Sequence, residues 1–202
     1  MNFYLIHTKD QSCYPEGIGV KNLSKKRDCS ECMYVHPDER NSGLDLVVRK
    51  RPKKVALNYI YPPSACFVNV EFLSLFSDEI NELFNLGKVY LGDGTLLEDY
   101  VSFTGKKRTL VRGSEKSFYR ICSECNRIRY HADYPWYILE SSIPETSITE
   151  GWPKQGFVIN QELRGRIDKS KWKGIYISKL PVLEEPKDGI KTFPDESQWA
   201  DW

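Results

Sequence analysis

The tetrapeptide Cys-Ser-Glu-Cys occurs twice, as Cys29-Ser30-Glu31-Cys32 and as Cys122-Ser123-Glu124-Cys125, and 89 residues (33–121) separate the copies. A C-x2-C pair places two sulfurs on one tight turn. Each copy therefore supplies half of a tetrahedral four-thiolate shell, with Zn–S distances of about 2.3 Å. Cys29, Cys32, Cys122 and Cys125 are expected to hold one Zn2+. The interval between the pairs far exceeds that of a usual zinc ribbon, so the ion would join an N-terminal knuckle to one in mid-chain across an inserted module.

Four thiolates around Zn2+ leave a net negative charge that needs donors and cations nearby. Lys25, Lys26 and Arg27 precede the first pair, and Arg120, Arg127 and Arg129 surround the second. Such neighbours favour the thiolate. A shell of four thiolates has no open position for water or substrate, which predicts a structural metal rather than a catalytic one. His36 and His131 follow the knuckles and could replace a ligand, although a surface or outer-shell place is the commoner one. Two other readings of the cysteines are a thiol-exchange or disulfide role and four unconnected buried thiols. A redox C-x-x-C normally opens a helix after a strand, and the acid inside each pair disfavours a thiolate. Cys66, beside Phe67 and Val68, reads as core; Cys13 has no assigned role.

With 202 residues, the chain can bury a core without disulfide support. Its 29 Lys and Arg against 28 Asp and Glu give a formal charge of +1, which disfavours a general nucleic-acid coat. No apolar run approaches the roughly 18 residues of a spanning helix. The start, MNFYLIHT, lacks the basic region and cleavage site of a secretory signal and reads as a strand of a cytoplasmic protein. G-x-S-x-G, H-E-x-x-H, P-loop and dinucleotide fingerprints are absent from the sequence, and the carboxylates are scattered, so no enzymatic activity is expected. Aromatic residues make up 13% of the chain, and such side chains anchor protein recognition surfaces as well as cores.

The pattern along the chain predicts a single α+β domain over 1–202: a mixed or antiparallel sheet with a few helices and the knuckle pair joining its N-terminal and central segments. Strands are expected near the N-terminus, at 44–48 and 55–61, with the run Arg49-Lys50-Arg51-Pro52-Lys53-Lys54 as a solvated loop between them. Apolar residues at three- and four-residue intervals predict a helix over 70–84, capped by Asn69 and stopped at Gly87. Gly92-Asp93-Gly94 reads as a hairpin turn after a strand at 88–91. Segments 100–103 and 109–112 could pair, and 136–139 reads as a strand. The block 157–163 followed by 174–177 loosely echoes 67–72 followed by 87–91: strand end, capped helix, glycine, strand. Residues 184–202 carry six acids against two Lys, with Trp199 and Trp202. This Pro- and acid-rich tail from 181 either docks on a basic partner or packs on its own body.

The two knuckles, the short N-terminal strand and the closing block from Gly156-Phe157-Val158-Ile159-Asn160-Gln161-Glu162-Leu163 to Gly174-Ile175-Tyr176-Ile177 resemble the double-CxxC(G) immunity proteins encoded beside bacterial polymorphic and contact-dependent toxins. That family tends to carry Gly after the second Cys of each knuckle, where this chain has Met33 and Asn126. Asn tolerates positive φ there, whereas Met does so poorly. The resemblance implies a cytoplasmic immunity protein that neutralises a cognate toxin by protein–protein contact, with zinc as scaffold. The alternative is a zinc-dependent nucleic-acid-binding protein using 49–54, 106–108 and the knuckle flanks. A thiol oxidoreductase is the third reading.

Overall fold

The computed structural model describes residues 2–8, 19–20, 29, 31, 43–48, 51–52, 57–60, 65–153, 156–168, 170–172, 174–194 and 196–199. Cys13, Cys32, Met33, His36 and Trp202 lie outside this set, as do Arg49, Lys50, Lys53 and Lys54. The strands, in chain order, are β1 Phe3–Thr8, β2 Gly19–Val20, β3 Leu46–Val48, β4 Leu57–Ile60, β5 Ala65–Asn69, β6 Phe84–Leu91, β7 Leu96–Gly105, β8 Arg108–Leu110, β9 Phe118–Ile121, β10 Ile128–His131, β11 Ile138–Leu139, β12 Ile148–Trp152, β13 Phe157–Asn160, β14 Ile175–Leu180 and β15 Val182–Leu183. Three short helices accompany them: α1 Val70–Leu73, α2 Ser77–Leu83 and α3 Gln161–Gly165. The architecture is α+β.

Two mixed sheets carry the fold, a six-stranded one in the order β2-β3-β6-β7-β5-β4 and a five-stranded one in the order β14-β1-β13-β12-β8. Alternation along β1 shows how the layers are shared. Ile6 joins Phe72, Phe76, Phe84, Phe103, Ile148 and Phe157 in the main core, which both sheets and the helices build. Phe3 and Leu5 point to a second cluster with Val111, Ile138 and Val158 on the opposite face. Phe157 occupies the centre of the main core: its ring stacks on Phe103 at 4.3 Å and meets Phe84 edge-on at 5.5 Å. Cys66 is buried in the same core.

The internal echo has a topological counterpart. β5 and β6 both pair antiparallel with β7, and β13 and β14 both pair antiparallel with β1. Each sheet thus contains a strand–helix–strand unit whose two parallel strands are split by a third. The helix of each unit opens on an asparagine cap. Asn69 accepts from the Glu71 amide and Asn160 from the Leu163 amide, each at 3.0 Å, satisfying donors that a helix start leaves open. Gly156, at the head of the closing block, has φ 144°, and a Cβ there would stand 2.0 Å from the Ile6 carbonyl oxygen.

Three local expectations are corrected. The helix over 70–84 is broken into α1, a 3-10 turn at Ser74–Phe76 and α2, with the Ser74 hydroxyl donating back to the Glu71 carbonyl at 2.8 Å, a contact that bends helices. Phe84 is buried as its periodicity implied, but from the first position of β6. Gly87 is no helix stop: it lies inside β6, where a Cβ would stand 2.4 Å from the Leu44 carbonyl oxygen. Segments 100–103 and 109–112 do not pair. β7 lies between β5 and β6, and β8 crosses to the other sheet to pair parallel with β12.

The acidic C-terminal segment packs on the body over its described residues. Arg112, fully buried, donates through Nε to Asp188 Oδ2 at 2.9 Å and through Nη2 to Asp188 Oδ1 and the Ile190 carbonyl. The Tyr130 hydroxyl donates to the same carboxylate at 2.6 Å and accepts the Gly113 amide at 3.0 Å. Burial first, and then the bond to Asp188, push the Tyr130 phenol well above its ordinary pKa. Farther on, Trp199 stacks on Trp152 at 4.5 Å, and Arg108 pairs with Glu196 at 2.9 Å. Because Arg112 has no solvent to fall back on, Asp188→Ala is expected to cost about 3–5 kcal/mol. Urea unfolding checks this; a loss below about 1 kcal/mol, the value of an exposed pair, would contradict it.

Candidate metal centre

The hairpin of β9 and β10 carries the second tetrapeptide in its turn. The Cys122 amide donates to the Arg127 carbonyl at 2.8 Å, extending the ladder beyond Ile121 and Ile128, and the Asn126 amide donates to the Cys122 carbonyl at 2.9 Å. Asn126 has φ 57°, the left-handed conformation for which asparagine is the best substitute for glycine. The residue after this knuckle's second cysteine therefore adopts the backbone that the turn requires.

Cys29 meets this turn from the other end of the chain. The sulfurs of Cys29, Cys122 and Cys125 lie within 4.8 Å of one another, and those of Cys29 and Cys122 are 3.5 Å apart. Tetrahedral thiolates about 2.3 Å from a shared ion would be about 3.8 Å apart, so the spacing suits sulfur ligands of one metal. No disulfide joins any two of these three cysteines. Three of the four cysteines expected as ligands are thus brought together and could hold a metal ion; Cys32 lies outside the described residues. Cys29 and Cys122 are buried and Cys125 half-buried, leaving little room for a substrate at such an ion. His131 stands on the outer face of the hairpin, stacked on Phe118 at 5.2 Å.

The residues between the cysteines also meet, in reciprocal fashion. Glu31 of the first tetrapeptide accepts from the Ser123 hydroxyl at 2.7 Å and from the Cys122 thiol at 3.2 Å. Glu124 of the second accepts from the Glu31 amide at 3.2 Å and from the Cys29 thiol at 3.4 Å. Each glutamate therefore clasps the other knuckle. The Ser123 hydroxyl first, then the Cys122 thiol and the amides of Ser123 and Glu124, hold the Glu31 carboxyl below its ordinary pKa. Arg129 adds an ion pair with Glu31 at 3.9 Å. Sequence reasoning read these glutamates only as charges unfavourable to thiolates. The signal for their role was the identity of the two copies at Ser-Glu, positions that metal ligation alone leaves unconstrained.

The hairpin is anchored from behind. Ile128 and Tyr130, on its inner face, pack with Leu110, Trp152 and Trp199, and Trp199 forms an isolated bridge with Ile128. The Arg112–Asp188–Tyr130 network fixes the same strand. Tertiary packing thus positions the second knuckle, and the described residues of the first, Cys29 and Glu31, meet it through sulfur and glutamate contacts.

A metal cross-link between Cys29 and the hairpin would close a loop of about 90 residues, worth roughly 4–5 kcal/mol if it restricts the unfolded chain as a disulfide does. Chelation of the metal-loaded protein is expected to lower its unfolding free energy by about that amount, and Cys122→Ser to abolish stoichiometric metal uptake in elemental analysis. An unfolding curve that chelation leaves unchanged would contradict the assignment.

No protein-family model matches this chain and no curated protein matches it, so its own residues carry the functional reading.

Proposed function

We propose that this chain is a zinc-braced immunity protein that binds and neutralises a cognate bacterial toxin in the cytoplasm by protein–protein contact, without catalysis of its own. The convergence of Cys29, Cys122 and Cys125 from two identical tetrapeptides carries the reading. Cys32 supplies the fourth thiolate, and the closed Zn(Cys)4 shell acts as scaffold. The buried sulfurs support a structural ion, since a catalytic one needs an open coordination position. The resemblance of the two knuckles and the closing block to double-CxxC(G) immunity proteins supports the biological role. Among the described residues no helix is long and apolar enough to cross a membrane.

The alternative, a zinc-dependent nucleic-acid binder, draws support from Arg120 over the Phe118 ring at 5.4 Å, on the hairpin face that also carries Arg129 and His131. The chain's formal charge of +1 and the pairing of Arg51 with Asp99 and Arg108 with Glu196 weigh against a phosphate-tracking surface. Co-expression separates the readings. A toxic product of an adjacent gene is expected to lose its toxicity and to co-purify with this chain in about equal amounts. Persistent toxicity, or a nucleic-acid affinity that falls steeply with salt, would contradict the proposal.

A further inference from the structure

The hairpin that carries the second knuckle forms a sheet of two strands, and every side chain of β9 is exposed: Phe118, Tyr119, Arg120 and Ile121. Three of the four are large and apolar, at 46–59% exposure, on a strand whose other edge has no strand partner among the described residues. The ladder shows which backbone groups that edge presents. The Cys122 amide bonds the Arg127 carbonyl, so alternation makes Arg120 with Arg129 and Phe118 with His131 the hydrogen-bonded pairs. The amides and carbonyls of Tyr119 and Ile121 therefore point away from β10.

The two faces beside that edge differ in chemistry. On the inner side, Tyr119 and Ile121 line a groove of mixed character, with Ile128, Phe193 and Pro194 beside Asn126, Thr192 and Gln198. On the outer side stand Phe118, Arg120, Arg129 and His131. Arg129 is paired with Glu31 at 3.9 Å, so the charge this face presents is that of Arg120, whose guanidinium lies over the Phe118 ring at 5.4 Å.

We propose that the outer edge of β9 docks an extended segment of a partner protein in which acidic and apolar residues alternate, added to the hairpin as a third strand. This deepens the toxin-binding reading by giving the partner's chemistry, and rests on that reading only in taking the partner to be a protein. Side chains along an added strand alternate between faces with period two. Residues opposite Tyr119 and Ile121 meet those two side chains and the apolar part of the groove, Ile128, Phe193 and Pro194; the residue opposite Arg120 meets its guanidinium, where an acid is the favourable cross-strand partner. A peptide backbone offers both donors and acceptors to the outward groups of Tyr119 and Ile121, whereas phosphates only accept. A second copy of this chain fits poorly. The antiparallel register in which both copies use both outward residues sets Arg120 opposite Arg120, a like-charge contact of the kind that guards natural edges.

The test uses the full chain loaded with zinc, 15N-labelled, and three probes: a short capped peptide of alternating Glu and Val, its Lys-Val counterpart, and oligothymidylate. The Glu-Val peptide is expected to shift resonances centred on 118–121 and to slow amide exchange at Tyr119 and Ile121 by about tenfold or more at saturation. Arg120→Glu, an exposed change that leaves the fold intact, should weaken that peptide about tenfold and reverse the preference toward Lys-Val. The proposal is overturned by absent or equal binding of the two peptides, by shifts centred elsewhere, by preference for the oligonucleotide, or by protection that grows with protein concentration without peptide. A toxin that co-purifies yet leaves Tyr119 and Ile121 unprotected would overturn this edge assignment and leave the neutralisation reading standing. Edge binding by the peptide without any toxic neighbour would do the reverse.

Discussion

Two tetrapeptides that are remote in sequence but identical in composition meet, and the contact joins Cys29 and Glu31 of the first to the central hairpin that carries the second. The contact has a polar component and a sulfur component. Glu31 and Glu124 exchange hydrogen bonds across the junction, so the turns are complementary through their main chains and through Ser123 before any ion is considered. The sulfurs of Cys29, Cys122 and Cys125 are gathered by the same contact. Carboxylates 3.2 and 3.4 Å from sulfur accept from thiols but oppose thiolates, so a metal has to displace protons as it binds. The amide and hydroxyl donors and Arg129 then hold the carboxylates beside the anionic shell.

The hairpin can serve as the fixed half of this junction because its inner face is anchored elsewhere. Tyr130 reaches the buried Arg112–Asp188 pair, and Ile128 lies against Trp199. The C-terminal segment, acidic in composition, places Asp188 and Glu196 against arginines of the body. Two of its acids are thus engaged with the body rather than presented to a partner.

Local chemistry was legible in the sequence where it is self-contained. The cysteine spacing marked the junction, Asn69 and Asn160 marked helix starts, and Gly92-Asp93-Gly94 marked the turn between β6 and β7. The loose echo of 67–91 in 157–177 reflects a shared split strand–helix–strand unit. Long-range pairing was not legible: nothing near 108–110 indicates that β8 leaves β7 to run parallel with β12. Burial was read correctly at Phe84 and its backbone incorrectly, because an aromatic at the end of a helical period packs equally well from the first position of a strand. Gly87 is required by a neighbouring carbonyl 43 positions earlier, at Leu44, which no local pattern reveals. The reciprocal glutamates were visible as a repeat, but their geometry needs both turns at once.

In the proposed role a sulfur-bound ion would brace the body, and the hairpin would present an edge to a protein partner. X-ray absorption at the zinc edge on the purified full chain tests the central claim most directly. The account predicts one zinc per chain with four sulfur neighbours at about 2.3 Å and no nitrogen or oxygen in the shell. A metal-free protein whose knuckle cysteines are joined in disulfides, or a zinc bound mainly through oxygen, would contradict it.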